Sequence, residues 1–168
     1  ALNSMVAHYH CEIAEQALKA DDLENAKMHI QKALKSDPDC VRASILEGNS
    51  ARRNNEYNLA IRAYLRIEEQ DAEYLPEVLP FLEQCYQHIG DVAQWRNYLQ
   101  GLIQRPGGAC VALLLADTIR QQDGDNAAEL FLEKELETRP SIRGIDKLIE
   151  INIAPANEAV RIKLNRLK

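Results

Sequence analysis

The chain has 168 residues, 46% of them apolar and 27% charged, with a formal net charge of −6. The acidic balance argues against a general nucleic-acid surface, which needs clustered Lys and Arg. No apolar run approaches the ~18 residues that a bilayer-spanning helix requires, and no secretory leader is visible after Ala1. Few aromatics (5%) and only seven glycines favour helices over a sheet-and-turn protein.

A period of 34 runs through the chain. Pro38, Pro106 and Pro140 lie 68 and 34 residues apart. Steps of 34 link Ala26, Ala60, Gln94 and Ala128; Ile30, Tyr64, Tyr98 and Leu132; and Ala14, Gly48, Leu82 and Ala116. A two-helix unit of this length is the tetratricopeptide (TPR) arrangement. The expected fold is therefore an all-α TPR superhelix, an α-α solenoid of about four helix-turn-helix repeats with C-terminal capping helices.

After a lead-in over 1–6, the first unit is expected over 7–40. Its first helix covers roughly His8 to Lys19, with Ile13, Ala14 and Ala17 along one side. Asp21 or Asp22 can cap the second helix, since an Asp oxygen accepts from the free N–H groups of the first turn. Ala26, Ile30, Ala33 and Leu34 stripe that helix. A small residue at 26 lets two helices joined by a short turn approach closely. Pro38 then ends the unit.

The second unit spans 41–74. Leu46, Gly48 and Ala51 mark its first helix, Asn54 to Tyr57 the turn, and Ala60, Tyr64 and Ile67 its second helix. Gly48 costs about 1 kcal/mol of helix propensity relative to Ala, which makes sense where a neighbour packs on bare backbone. Ala72 stands where the proline would be.

The third unit, 75–108, is degenerate. Gln94 replaces the small residue, and Trp95 beside it suggests a helix rotated or shifted by one position. Pro76 can start a helix, while Pro80 is expected to kink or delay it. The superhelix is expected to be least regular here. The fourth unit, 109–141, recovers the pattern with Leu115, Ala116, Ile119, Ala128, Leu132 and Leu136. Residues 142–168 are too short for another unit. Ile145, Leu148, Ile149 and Ile151 suggest one helix. Pro155 starts another with Val160, Leu164 and Leu167, on a face shared with Arg161, Lys163, Arg166 and Lys168. This tail reads as a solenoid cap, or as a basic linker toward a missing C-terminal domain.

No nucleophile and base lie at meaningful spacing, so no catalytic residue is assigned and the chain is not expected to be an enzyme. Cys11, Cys40, Cys85 and Cys110 are scattered without a CxxC pair and read as reduced thiols, Cys85 as a small core residue. His8 and Cys11 could share a helix face as metal ligands, but no further ligands are supplied and a structural zinc site uses four. No metal site is expected in this fragment. Partner binding is expected in a concave groove lined by first helices. Counting within each unit assigns to it His8, Glu12 and Glu15; Arg42, Asn49, Arg52 and Arg53; Glu83, Tyr86 and Gln87; and Asp117, Arg120 and Gln121. Asn49, Arg52 and Arg53 form the one concentrated donor cluster, and arginine forks suit carboxylates. TPR domains that capture a terminal carboxylate also use groove lysines, which are missing here.

The run AHYHCEIAEQALKADDLENAKMHIQKALKSDPDCVRASILEGN, the segment LEQCYQHIGDVAQW and the stretch LLLADTIRQQDGDNAAELFLEKELETRPSIRGIDKLIE resemble, in order, the later TPR units of the bacterial lipopolysaccharide assembly protein B family. The Ala72 departure and the QCYQ…G…W segment make the match more specific than a repeat consensus. The resemblance implies a middle-to-late fragment of a protein with an N-terminal membrane anchor, a cytoplasmic TPR superhelix and a C-terminal rubredoxin-like domain. Iron or zinc would belong to that last domain, whose ligands are not in this chain. It also implies a non-enzymatic adaptor at the cytoplasmic face of the inner membrane. The implied partners are a membrane-bound AAA+ zinc protease and the lipid A pathway deacetylase, whose proteolysis the adaptor promotes. The alternative is a TPR accessory region of an enzyme such as an N-acetylglucosaminyl transferase, or, more weakly, a chaperone-like peptide binder.

Overall fold

The computed structural model describes residues 2–105 and 109–153, with backbone only at 109 and 110. The described residues form α-helices and one short 3-10 turn, with no strand among them. In chain order these are α1 (Leu2–Lys19), α2 (Leu23–Ser36), α3 (Val41–Arg53), α4 (Tyr57–Gln70), the 3-10 turn Ala72–Tyr74, α5 (Leu75–Ile89), α6 (Val92–Ile103), α7 (Ala109–Asp123), α8 (Asp125–Thr138) and α9 over 142–153. None of the described helices is long and apolar enough to cross a membrane. Contacts divide the chain into two compact units, Ala1–Asp91 and Val92–Lys168.

In the first unit, α1 pairs with α2, α3 with α4, and α5 packs on α4. Small buried residues make the close approaches possible. Ala7, Ala14, Ala26, Ala33 and Ala60 are all fully buried, and Ile30 and Ile67 are buried with them. Asp22 is the residue that caps α2, its Oδ1 accepting the Asn25 N–H at 3.1 Å. Asp21 instead closes α1 in the left-handed region, at φ 61°. Asn55 does the same after α3, also at φ 61°, and lies 34 residues on. Such a conformation is unusual outside Gly, Asn and Asp, and it lets a helix reverse into its partner within three residues.

The third turn uses Gly90, at φ 75°, which lies 35 residues after Asn55. The phase has slipped by one. Trp95, not Gln94, is buried, and Leu99, not Tyr98, follows it into the core. The first helices show no slip: Gly48, Leu82 and Ala116 stay buried at intervals of 34. The shift expected from Trp95 is therefore one residue and is confined to α6.

Pro80 corrects an expectation. It does not delay α5, which begins at Leu75 and runs through to Ile89. The reason is position. Pro80 lies in the second turn, where its missing N–H forfeits one bond, to the carbonyl of Pro76, and its ring is exposed.

In the second unit, α6 packs on α7 and α7 on α8. Leu115, Ala116, Ile119, Ala128 and Leu132 form its core with Trp95 and Leu99. Helix α9 adds Ile151, which is buried, while Ile145 and Ile149 are about half exposed. The reading of Pro155, Val160, Leu164, Leu167 and the basic residues around them lies outside the described residues.

Candidate protein-interaction site

The first unit contains an open cleft of about 610 Å³. Helix α1 contributes Ser4, His8 and Glu15. The α2–α3 link brings Asp37, Asp39 and Cys40. Helix α3 supplies Val41, Arg42, Ile45, Leu46 and Asn49, and Tyr74 and, from α5, Glu77 complete the lining. First helices and one link thus meet around an apolar strip with a charged border. The link reaches the cleft because Asp37 caps α2 through its N–H to the carbonyl of Ala33 and then turns, its Oδ1 accepting the Asp39 N–H at 3.2 Å.

Arg42 occupies the middle of this border. Its Nη1 lies 2.8 Å from Glu12 Oε1 and its Nη2 2.8 Å from Glu15 Oε1. Nε also donates to Glu15 Oε1, at 2.9 Å. The hydrogen bonds that Arg42 donates to Glu15 are the main cause of its raised pKa, with Glu12 adding to it. One guanidinium thus ties α3 to α1 and is already satisfied by two carboxylates.

The donor cluster expected on α3 does not form as a cluster. Asn49 faces the cleft, and its Oδ1 accepts from the Tyr64 hydroxyl at 2.7 Å. Arg52 leans toward α5, its Cζ 4.2 Å from the centre of the Phe81 ring and its Nη1 donating to Gln84 Oε1 at 2.7 Å. Arg53 leans the opposite way. Its Nη1 donates to the Leu18 carbonyl at 3.0 Å and its Nη2 to Asp21 Oδ1 at 3.3 Å. Adjacent positions on a helix diverge by about 100°, so two neighbouring arginines are drawn to different partners. Neither lines the cleft.

Tyr86 corrects a second expectation. It is 2% exposed, and burial pushes its phenol pKa up. Its ring belongs to the core because 82, 85 and 86 share the inward face of α5. Glu83 is half-buried and Gln87 exposed on the same helix.

Asp117, Arg120 and Gln121 belong to the second unit. Asp117 Oδ1 holds Lys147 Nζ at 2.7 Å. Arg120 Nε donates to Asp125 Oδ1 at 2.6 Å, and its Nη1 lies 3.6 Å from Glu150. These two residues fasten α8 and α9 to α7. Gln121 is exposed.

Counting found His8, Glu15, Arg42 and Asn49 of the cleft lining and missed the rest, among them Asp37, Asp39, Ile45, Tyr74 and Glu77. Tyr74 and Glu77 are placed by the 3-10 turn, which replaces the usual proline ending. The signal available in the sequence was the Ala72 departure itself. His8 is exposed, whereas Cys11 is fully buried with its Sγ 3.8 Å from that of Cys40. The two residues are thus not neighbours on an accessible face. Among the described residues no three His, Cys, Asp or Glu side chains are placed to hold a metal ion.

No family model matches the chain. It is 34% identical over 153 residues to the lipopolysaccharide assembly protein B of Escherichia coli strain K12. To the protein of the same name from Haemophilus influenzae it is 30% identical over 156 residues. These matches cover 91% and 93% of the chain but 39% of each relative, so the chain spans about two fifths of their length. Among solved structures it is similar to the MamA protein, with a TM-score of 0.60, 19% identity, and 93% of this chain and 87% of that one covered. It is also similar to PilW, a widely conserved type IV pilus biogenesis factor, with a TM-score of 0.53, 16% identity, and 83% and 64% covered. Both are TPR-type helical repeat proteins, and the likeness is one of fold.

Proposed function

From the premise that this chain is a homologue of the lipopolysaccharide assembly proteins B, matching two fifths of their length, we propose that it is the scaffold part of an adaptor that regulates lipopolysaccharide synthesis. The coarse reading is a non-enzymatic protein-interaction scaffold in lipopolysaccharide assembly. The finer one is that it brings together a membrane-bound AAA+ zinc protease and the lipid A pathway deacetylase, and so promotes proteolysis of the deacetylase. The observation that carries the coarse reading is the extent of the match, nearly the whole chain against proteins named for lipopolysaccharide assembly. The repeat fold and an open cleft on its first helices suit protein partners.

In this reading the parent protein sits at the cytoplasmic face of the inner membrane through a segment outside this chain. Iron or zinc, if present in the parent, belongs to a rubredoxin-like domain that is likewise outside it. Of the groove assignments, Arg42 and Asn49 stay with the scaffold role at the cleft, while Arg52 and Arg53 act first in packing and Asp117 and Arg120 first in fastening α8 and α9.

The test is capture from detergent-solubilised inner membranes on the immobilised chain, with immunoblots for the protease and the deacetylase. Retention of both supports the adaptor. Retention of other lipopolysaccharide-synthesis proteins but neither of these two would discard the finer reading and leave the scaffold.

A further inference from the structure

The cleft of the first unit has a definite charge as well as a shape. Four carboxylates border it, from Glu15, Asp37, Asp39 and Glu77, against the single guanidinium of Arg42. With His8 neutral, four negative charges less one positive leave −3. The real imbalance is greater at one end, because Arg42 is shared between Glu15 and Glu12. Among the described residues no Lys or Arg pairs with Asp37, Asp39 or Glu77. The Asp37 carboxylate accepts the Asp39 backbone N–H through Oδ1. The carboxylates come from α1, the α2–α3 link and α5, so the fold makes them converge. They are not a charge run along one solvated face.

Between them lie Val41, Ile45 and Leu46, with Tyr74 44% exposed at the edge. Low-dielectric walls around charge of one sign focus the field into the cleft. The sign is opposite to that expected from Asn49, Arg52 and Arg53. Resting on the scaffold reading above, we propose that this cleft docks an extended partner-protein segment carrying two or more lysines or arginines beside a large apolar side chain. The basic groups would meet Asp39 and Glu77, and the apolar side chain would lie on Ile45 against Tyr74.

The test is fluorescence anisotropy with a short labelled peptide of lysines, glycines and one leucine, against the same peptide with glutamate for lysine. Two variants of equal charge change are compared, Asp39→Lys/Glu77→Lys in the cleft and Glu69→Lys/Glu133→Lys at exposed sites away from it. Both are first shown to keep the parent circular dichroism. The expected result is binding of the lysine peptide only, weakened about tenfold or more by the cleft variant and within about twofold by the control. Equal loss in both variants would reduce the effect to general acidity and overturn the proposal. Binding of the glutamate peptide, or no binding of the lysine peptide, would overturn it as well. The scaffold reading is judged separately. If the cleft variant still captures the lipopolysaccharide-synthesis proteins, the docking chemistry fails and the scaffold stands; if the parent chain captures none, the scaffold itself fails.

Discussion

Gly48 on α3 lies directly against the ring of Tyr64 on α4. A Cβ added at Gly48 would come 2.6 Å from Tyr64 Cζ and 2.7 Å from Cδ1. Tyr64 cannot swing aside, since it is fully buried and its hydroxyl is tied to Asn49 Oδ1. Gly48→Ala should therefore destabilise the chain. The helix-propensity gain of about 1 kcal/mol is outweighed by overpacking of about 1–3 kcal/mol. Urea unfolding checks the sign, and in a Tyr64→Leu background the cost of Gly48→Ala should shrink.

Arg53 donates at 3.0 Å to the Leu18 carbonyl at the end of α1, which otherwise accepts only a longer bond, 3.3 Å, from the Asp21 N–H. Arg53→Ala should cost about 1 kcal/mol, and Arg53→Lys should recover only part of it, because a single ammonium cannot reach both Leu18 and Asp21. Thermal unfolding measures both. The charge-reversal pair Arg52→Glu with Arg53→Glu, an obvious probe of partner binding, should thus lower stability too. Its capture results need comparison at equal folded fraction.

The Cys11 thiol is pushed up to about 12, first by burial and then by the neighbouring Cys40. Thiolate is the reactive form. Native chain at pH 8 should label at Cys11 with iodoacetamide far more slowly than urea-unfolded chain, and peptide mass spectrometry reads the difference. The linkage has a definite sign. The folded value exceeds the ordinary 9.0, so this contribution to stability is complete below about pH 9 and is lost as pH rises toward 12.

His10 and His29 join α1 to α2, Nδ1 to Nδ1 at 2.9 Å. Such a bond needs one Nδ1–H donor and one bare Nδ1, so it cannot survive protonation of both rings. Burial, then Lys32, then His10 hold His29 below its ordinary 6.5. Stability is therefore full above about pH 6.5 and is lost as pH falls through the lower folded value. His29→Gln should flatten the acid limb of a stability-versus-pH curve measured by chemical denaturation. An unchanged slope would put the sensitivity elsewhere.

Lys147 anchors α9 through Asp117, and that hydrogen bond is the main cause of a raised Lys147 pKa. The contribution is present below the ordinary 10.5 and lost as pH rises through the folded value. Asp117→Asn should loosen α9 and speed amide hydrogen exchange over 142–153. Exchange over α1 and α2 should not change.

The repeat class was legible because it rests on regular burial. Ala14, Ala26, Ile30, Ala60 and Leu132 are core residues where a spacing of 34 puts them. Gly48 and Trp95 were legible for a related reason, since each breaks a local preference that only packing can justify. The cleft was not. Its character depends on Asp37 and Asp39 turning inward from a link and on Glu77 following an irregular 3-10 turn. Periodicity has nothing to say about either. The arginines misled because spacing tells which residues share a face, not which neighbour claims them. Arg52 went to Phe81 and Arg53 to Leu18.

The one-residue slip at α6 bears on any attempt to graft or idealise this chain. One residue on an α-helix is a rotation of about 100°. A regular repeat hairpin spliced in after Gly90 on the 34-residue rule would present its apolar stripe a quarter-turn from the pocket that Trp95 and Leu99 fill. The phase is restored at Ala116, so two compensating length changes flank α6. A designer would have to alter both together: a single-residue deletion in the α5–α6 turn would be expected to fail alone and to succeed only with a compensating insertion between α6 and α7.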